Sequence, residues 1–250
     1  MPAKIELLNE FYSTMDKTQV KIETKAHGFD YLKYISSLAN LKYSEWVNGL
    51  YRYRLTEIEP DIFNHLLKRH IDKKLNICIY FNEIKNNIFC FNLDSFNKNK
   101  NEIKEIAVLL NRNLGKLQIK PLILKSGRGY HFWCRLSSAF ENSQLQSFMK
   151  SMIDITVFEA VMQNINLDRL QCICYPRFNS HDVSIRLFGS NHTETGKFLS
   201  VMTNIEDDGS LLDEEQSWRY FENYIKSCTI GKESFGRALT CAAKLASIIK

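Results

Sequence analysis

Lys125-Ser126-Gly127-Arg128-Gly129-Tyr130-His131 separates two apolar runs, Leu117 to Leu124 before it and His131 to Leu136 after it. Both runs are short and rich in Ile, Leu, Phe and Trp, the character of buried strands, so the segment between them reads as the turn of a β-hairpin. Glycines at 127 and 129 let the backbone take positive φ or come close to a ligand. Lys125, Ser126 and Arg128 carry donors that reach phosphate oxygens, and His131 stands where the second strand begins. A Walker loop is a different pattern, with its lysine after the glycines and before Ser or Thr. Taken alone, the stretch describes a nucleotide cradle or a plain glycine hairpin.

Working outward, Leu75 to Phe81 predicts a strand, Asn82 to Asn87 a turn, and Ile88 to Asp94 a second strand with a polar tip. Strand side chains alternate, so Asn92 and Asp94 face one way and Leu93 faces the core. A carboxylate at the end of an apolar strand can place Mg2+ or Mn2+ beside a phosphate. The same pattern also describes a strand end entering solvent. Downstream, His181-Asp182-Val183-Ser184-Ile185-Arg186-Leu187-Phe188-Gly189-Ser190-Asn191-His192 predicts a strand over Val183 to Leu187. Ser184 and Arg186 then share a face, with Asp182 if the strand begins one residue early. Asp182 is a candidate metal carboxylate, and Arg186 and His192 are candidate phosphate ligands. Thr195-Gly196-Lys197 reads as a further hairpin turn that brings another cation. A surface hairpin with a local ion pair is the simpler account of the same residues.

Around these strands the apolar spacing predicts helices over Ile5 to Tyr12, Pro60 to His70, Asn101 to Leu114, Glu214 to Lys226 and Phe235 to Ile249. Another runs to about Ile165, starting from Ser138, with Glu141 completing a capping box, or from Asn142. Phe29 to Tyr53 reads as mixed and partly helical, Lys197 to Val201 as a strand, and Glu206 to Asp213 as an acidic loop. The expected class is α/β (α+β), one domain over 1–250: a helical and aromatic part to 74, a core over 75–205, and C-terminal helices over 206–250.

With 44% hydrophobic and 24% charged residues and 4 prolines in 250, the chain has a globular composition that excludes a long disordered tract. A formal charge of +5 suits a local phosphate-binding groove better than a histone-like surface. Lys33, Tyr34, Arg52, Arg54, Lys68 and Arg69 are candidates for such a groove or for a solvated face. Neither a signal-peptide stretch nor an apolar window long enough to span a membrane is present, which predicts an intracellular protein. The 7 cysteines are irregularly spaced. Cys172 and Cys174 would share a strand face, yet no second pair completes a tetrahedral site, so buried free thiols are expected over zinc.

Three ordered signatures resemble those of the catalytic (small) subunits of archaeo-eukaryotic primases and their viral and plasmid relatives. Asn92-Leu93-Asp94 resembles the acid-x-acid strand end, and Ser126-Gly127-Arg128-Gly129-Tyr130-His131 the Ser-x-His segment. Arg186-Leu187-Phe188-Gly189-Ser190-Asn191-His192, followed by Thr195-Gly196, resembles the arginine strand. The resemblance covers Leu75 to Val201 and implies a primase-like catalytic core with flanking helices. It implies a DNA primase that joins NTPs or dNTPs into a primer on a single-stranded DNA template with Mg2+ or Mn2+. In that reading Asp94, Asp182 and His131 are catalytic, and Asn92, Asp94 and Asp182 hold metal. Ser126, Arg128, His131, Arg186 and His192 bind nucleotide, and Lys125 and Lys197 contact template or phosphate. A large primase subunit or a helicase is the expected partner, in the nucleus or cytoplasm of a host if the protein is viral, and no membrane is involved.

Two positions depart from the family pattern. Asn92 replaces the first acid and brings a carbonyl oxygen without charge. The third acid usually lies further upstream than Asp182, with Asp168 the alternative and Cys174 and Tyr175 near the expected place. These departures keep open a catalytically inactive relative that binds DNA within a replication complex.

Overall fold

The computed structural model describes residues 2–24, 40–47, 50–95, 100–167, 170–177, 184–192 and 196–249. The expectations placed on Phe29 to Ala39, including Lys33 and Tyr34, and on Asp168, Asp182 and Thr195, fall outside these residues. The fold is mixed α/β, with two antiparallel five-stranded sheets and six α-helices among the described residues. Two compact units divide the chain, Met1–Asn82 with Ser180–Leu199, and Glu83–Asn179 with Ser200–Lys250. The stretch 75–205, grouped in the sequence as one core, is therefore shared between both units.

The first unit holds α1 (Pro2–Phe11), β1 (Asp16–Thr24), β2 (Asn40–Val47), β3 (Leu50–Thr56), α2 (Pro60–Ile71), β4 (Asn76–Tyr80) and β9 (Ser184–Arg186), with strand order β2-β3-β1-β4-β9. The period of two sorts its side chains. Val20, Ile22, Tyr53, Leu55, Ile77, Ile79 and Ile185 are all buried and share one face by register. Phe63, Leu66 and Leu67 of α2 are buried with them. Lys21, Glu23, Arg52, Arg54, Asn76, Cys78 and Arg186 occupy the opposite face. The partly helical reading of Trp46 to Tyr53 is corrected here. Arg52-Tyr53-Arg54-Leu55 alternates, with Tyr53 and Leu55 on the core face and Arg52 and Arg54 on the other, which a strand satisfies and a helix does not.

The second unit holds β5 (Lys85–Ser95), α3 (Lys100–Lys116), β6 (Leu122–Lys125), β7 (Tyr130–Glu141), α4 (Asn142–Met162), β8 (Leu170–Tyr175), β10 (Ser200–Val201), α5 (Glu214–Ser227) and α6 (Lys232–Ile248), with strand order β10-β6-β7-β5-β8. Phe89, Phe91, Leu93, Tyr130, Phe132 and Ile123 form one face and pack with Ile106, Leu110, Phe148, Met152 and Phe235 from α3, α4 and α6. Phe235 stacks edge-on or tilted against Phe89, Phe140 and Phe148. Aromatic burial on this scale dominates the unit's stability. No helix among the described residues is long and apolar enough to cross a membrane.

Several boundaries differ from the sequence reading: β5 begins at Lys85, inside the expected turn, and the strand expected over Lys197 to Val201 is confined to Ser200–Val201. The strand expected from Leu117 is confined to 122–125. α3 runs through Gly115, Gln118 takes φ +59, and Pro121 offers no N–H to a ladder. α4 begins at Asn142, not Ser138, because β7 continues to Glu141. There Glu141 and Gln144 form the reciprocal capping box instead. β1 is an added strand, and β8 extends the strand considered at Cys172–Cys174 to Leu170–Tyr175. All seven cysteines are free thiols; Cys78, Cys90 and Cys134 are buried, whereas Cys241 is exposed.

Candidate active site

The hairpin turn between β6 and β7 is closed by two hydrogen bonds. The Ser126 N–H donates to the Gly129 carbonyl at 2.9 Å, and the Gly129 N–H donates to Ser126 Oγ at 3.0 Å. Neither glycine of this turn has positive φ; that conformation belongs to Gly189 (φ 93) and Gly196 (φ 67). Gly129 is needed for close approach. A Cβ there would stand 1.9 Å from the Leu93 carbonyl oxygen and 3.0 Å from Asp94 Cα. The absent side chain thus lets the turn lie directly against the tip of β5.

The register then places the signature residues. Asn92 stands opposite His131 on β7 and Ile173 on β8, and Asp94 stands opposite Gln171. Directly opposed side chains lie on the same face, so Asn92, Asp94, His131 and Gln171 line one side of the sheet. Leu93, fully buried, points to the other. Gln171 has no counterpart in the sequence reading, which considers a strand face only at Cys172 and Cys174. Asp94 is 17% exposed and accepts from Arg128 Nη2 at 3.0 Å, with Arg128 45% exposed on the turn. Lys125 stands apart from this row. It is opposite Tyr130 on the core side, with Nζ 3.6 Å from the centre of the Tyr130 ring.

The first unit carries the third signature. Arg186 on β9 donates from Nε to Glu23 Oε2 at 2.8 Å, and Arg52 Nε lies 3.3 Å from Glu23 Oε1. Beyond Arg186 the chain turns through Phe188 and Gly189, and α2 and its neighbours fix that turn. His70 Nε2 donates to the Phe188 carbonyl at 3.0 Å while its Nδ1 accepts from the Ile77 N–H. Burial drives the His70 pKa down to about 4, so the neutral ring is the working form. Lys73 Nζ donates to the Gly189 carbonyl at 2.7 Å, and Tyr12 Oη accepts from the Phe188 N–H. The Asn76 side chain brackets Asn191, donating to its carbonyl at 2.8 Å and accepting from its N–H at 3.1 Å. His192 is buried, and its N–H donates to the Lys197 carbonyl, while the Lys197 side chain is exposed.

Neither a protein-family model nor a curated protein matches the chain. Among solved structures it is similar to the polymerase domain of ligase D from Mycobacterium tuberculosis, determined in complex with DNA. Identity is 11% and the TM-score 0.42, over 97% of this chain and 88% of that one. Similarity at that score establishes neither a shared fold nor a shared activity.

No group of three or more His, Cys, Asp or Glu able to hold a metal ion occurs among the described residues. The donor set at the tip of β5 is one carboxylate and one amide carbonyl. That is compatible with Mg2+ or Mn2+, which commonly take one or two protein carboxylates and fill their shell with water and substrate phosphate. It is too hard a set for a thiolate-type zinc site.

Proposed function

We propose that this protein is a primase-type nucleotidyltransferase that extends or initiates a strand on a single-stranded DNA template from NTPs or dNTPs. The observation that carries the proposal is the shared face of Asn92, Asp94 and His131, with the Ser126–Gly129 turn packed onto the same strand tip. Asp94 and Asn92 would hold the divalent ion, with Asp182 or Asp168 supplying a further acid. When bound, that ion activates the attacking hydroxyl and stabilises charge on the phosphoryl oxygens. His131, Ser126 and Arg128 bind and orient the triphosphate. Arg186 and His192 neutralise phosphate charge, and the hydrogen bonds to Phe188, Gly189 and Asn191 hold their segment in place before substrate arrives. Such preorganised donors lower the barrier because they need no rearrangement during the reaction. Lys197 serves template or phosphate; Lys125 would do so only from the other side of its sheet. A large subunit or helicase would supply the partner surface.

Arg128 Nη2 holds Asp94 Oδ2 at 3.0 Å, so in this reading Arg128 would share Asp94 with a divalent ion and would be placed to reach a phosphate bound beside it. The same ion pair, together with Asn92, favours the second reading, an inactive primase-fold protein that binds DNA. Labelled-nucleotide incorporation on single-stranded DNA separates the two. Product from the parent that is lost in His131→Ala, with DNA binding retained, supports synthesis. DNA binding by the parent without product under either Mg2+ or Mn2+ supports the inactive reading.

A further inference from the structure

Glu23 is 4% exposed, yet it carries a carboxylate. It lies on β1, with Arg52 opposite it on β3 and Asn76 opposite it on β4, while Arg186 reaches it diagonally from β9. The two arginines divide its oxygens. Arg52 approaches Oε1 at 3.3 Å and Arg186 donates to Oε2 at 2.8 Å. Lys21 lies two residues along on the same face, and Arg54 opposite it is held by Gln19 Oε1 at 2.8 Å and by the Tyr80 ring. A single buried carboxylate thus draws two guanidiniums together on a face that already carries two more cations. A guanidinium has five N–H donors in a planar fork; Arg186 donates to Glu23 from Nε, whereas Arg52 Nε makes an ion-pair contact outside hydrogen-bond geometry. Two guanidiniums drawn to one carboxylate bring together donors of the kind that an oligophosphate accepts.

We infer that Glu23 is a positioning residue that aligns Arg52 with Arg186 into a two-guanidinium clamp for a chain of phosphates. The inference rests on the proposed role of Arg186 as a phosphate ligand and extends it to Arg52 and to the carboxylate behind both. Glu23 itself does not touch the ligand.

The sign of one measurement isolates the positioning role. Removing a negative charge raises the positive field of this face and, through charge alone, tightens anion binding. If Glu23 aligns the clamp, its loss weakens binding instead. Inorganic triphosphate is titrated calorimetrically into the full chain in metal-free buffer, with thermal melts run on every variant. The expectation is that Glu23→Gln weakens binding by about tenfold, the scale of a lost bidentate contact. Arg52→Lys, which keeps the charge and removes the fork, weakens it by about fivefold in the parent and by no more than about twofold beyond Glu23→Gln, the non-additivity of groups acting together. Unchanged or tighter binding by Glu23→Gln overturns the inference. Should Glu23→Gln not fold, Arg52→Lys decides alone, and unchanged binding overturns the clamp. Triphosphate binding without nucleotide incorporation leaves the clamp standing and removes the synthesis proposal. Incorporation by a parent that does not bind triphosphate does the reverse.

Discussion

Replacing Gly129 with alanine puts a methyl group where the backbone of β5 already lies. The new Cβ would stand 1.9 Å from the Leu93 carbonyl oxygen and 2.9 Å from its carbon. An unstrained carbon–oxygen contact is roughly 3.3 Å or more. No side-chain rotation relieves the overlap, because the atoms it meets are backbone. β5 and the turn must move apart by about an ångström, which disturbs the Leu93–Tyr130 end of the ladder. Overpacking costs about 1–3 kcal/mol, and each weakened ladder bond adds about 1 kcal/mol, so a loss of roughly 3 kcal/mol is expected. For a chain of this size that lowers Tm by about 6–12 °C. Gly115→Ala is the matched control, since a Cβ there meets nothing within 4 Å and the residue lies in α3. It should raise stability by about 0.5 kcal/mol through helix propensity. Melting followed by circular dichroism, with amide exchange across β5 and β7, reads both. A Gly129→Ala protein that melts within a degree or so of the parent, with unchanged exchange at the β5 tip, would refute the close-approach account.

Acid should weaken the first unit through His70. Its folded pKa, about 4, lies below the ordinary 6.5, so the unfolded chain takes up the proton first. The stabilisation is whole above pH 6.5 and is lost as pH falls towards 4, by about 3 kcal/mol over that window. Denaturant melts at stepped pH should show this slope in the parent and not in His70→Gln. Tyr224→Phe removes a buried hydroxyl that lies 3.0 Å from both the Lys120 and Trp133 carbonyls, and urea unfolding should show a loss of about 1–2 kcal/mol. Asn76→Asp replaces the donor to the Asn191 carbonyl with a repelling oxygen. It should cost about 1–3 kcal/mol and speed amide exchange at Asn191.

Local features were legible in the sequence, and distant pairings were not. The β6–β7 hairpin and its Ser126–Gly129 turn could be read because both strands and the turn are contiguous, as could α2, with Pro60 at its start. Facing of Asn92 and Asp94 followed from strand alternation alone. The extent of β8 around Cys172 and Cys174 is not legible because an edge strand is half-buried on both sides. Leu170-Gln171-Cys172-Ile173-Cys174 lacks the contrast between faces that marks a strand, and Gln171 was missed with it. Glu23 was invisible for another reason. β1 is not among the strands read from the sequence, and nothing local says that Arg186, 163 residues away, will cover the Glu23 carboxylate. Likewise, Ser184–Arg186 pairs with β4, and Ser200–Val201 pairs with β6 in the other sheet. A break between two sheets within so short a stretch has no composition signal. Of the two freedoms that the sequence allows this glycine pair, Gly129 uses close approach, here to the backbone of β5, and positive φ resides at Gly189 and Gly196.

The central claim is that the face bearing Asn92, Asp94 and His131 performs metal-dependent nucleotidyl transfer. Its most direct test is incorporation of labelled NTPs and dNTPs on single-stranded DNA, with Mg2+ and Mn2+ separately, by the parent and by Asp94→Asn. The account predicts oligonucleotide product from the parent, and a fall of about a hundredfold or more in Asp94→Asn, the scale on which a lost electrostatic stabiliser acts, with folding and DNA binding intact. Equal product from both proteins would contradict it.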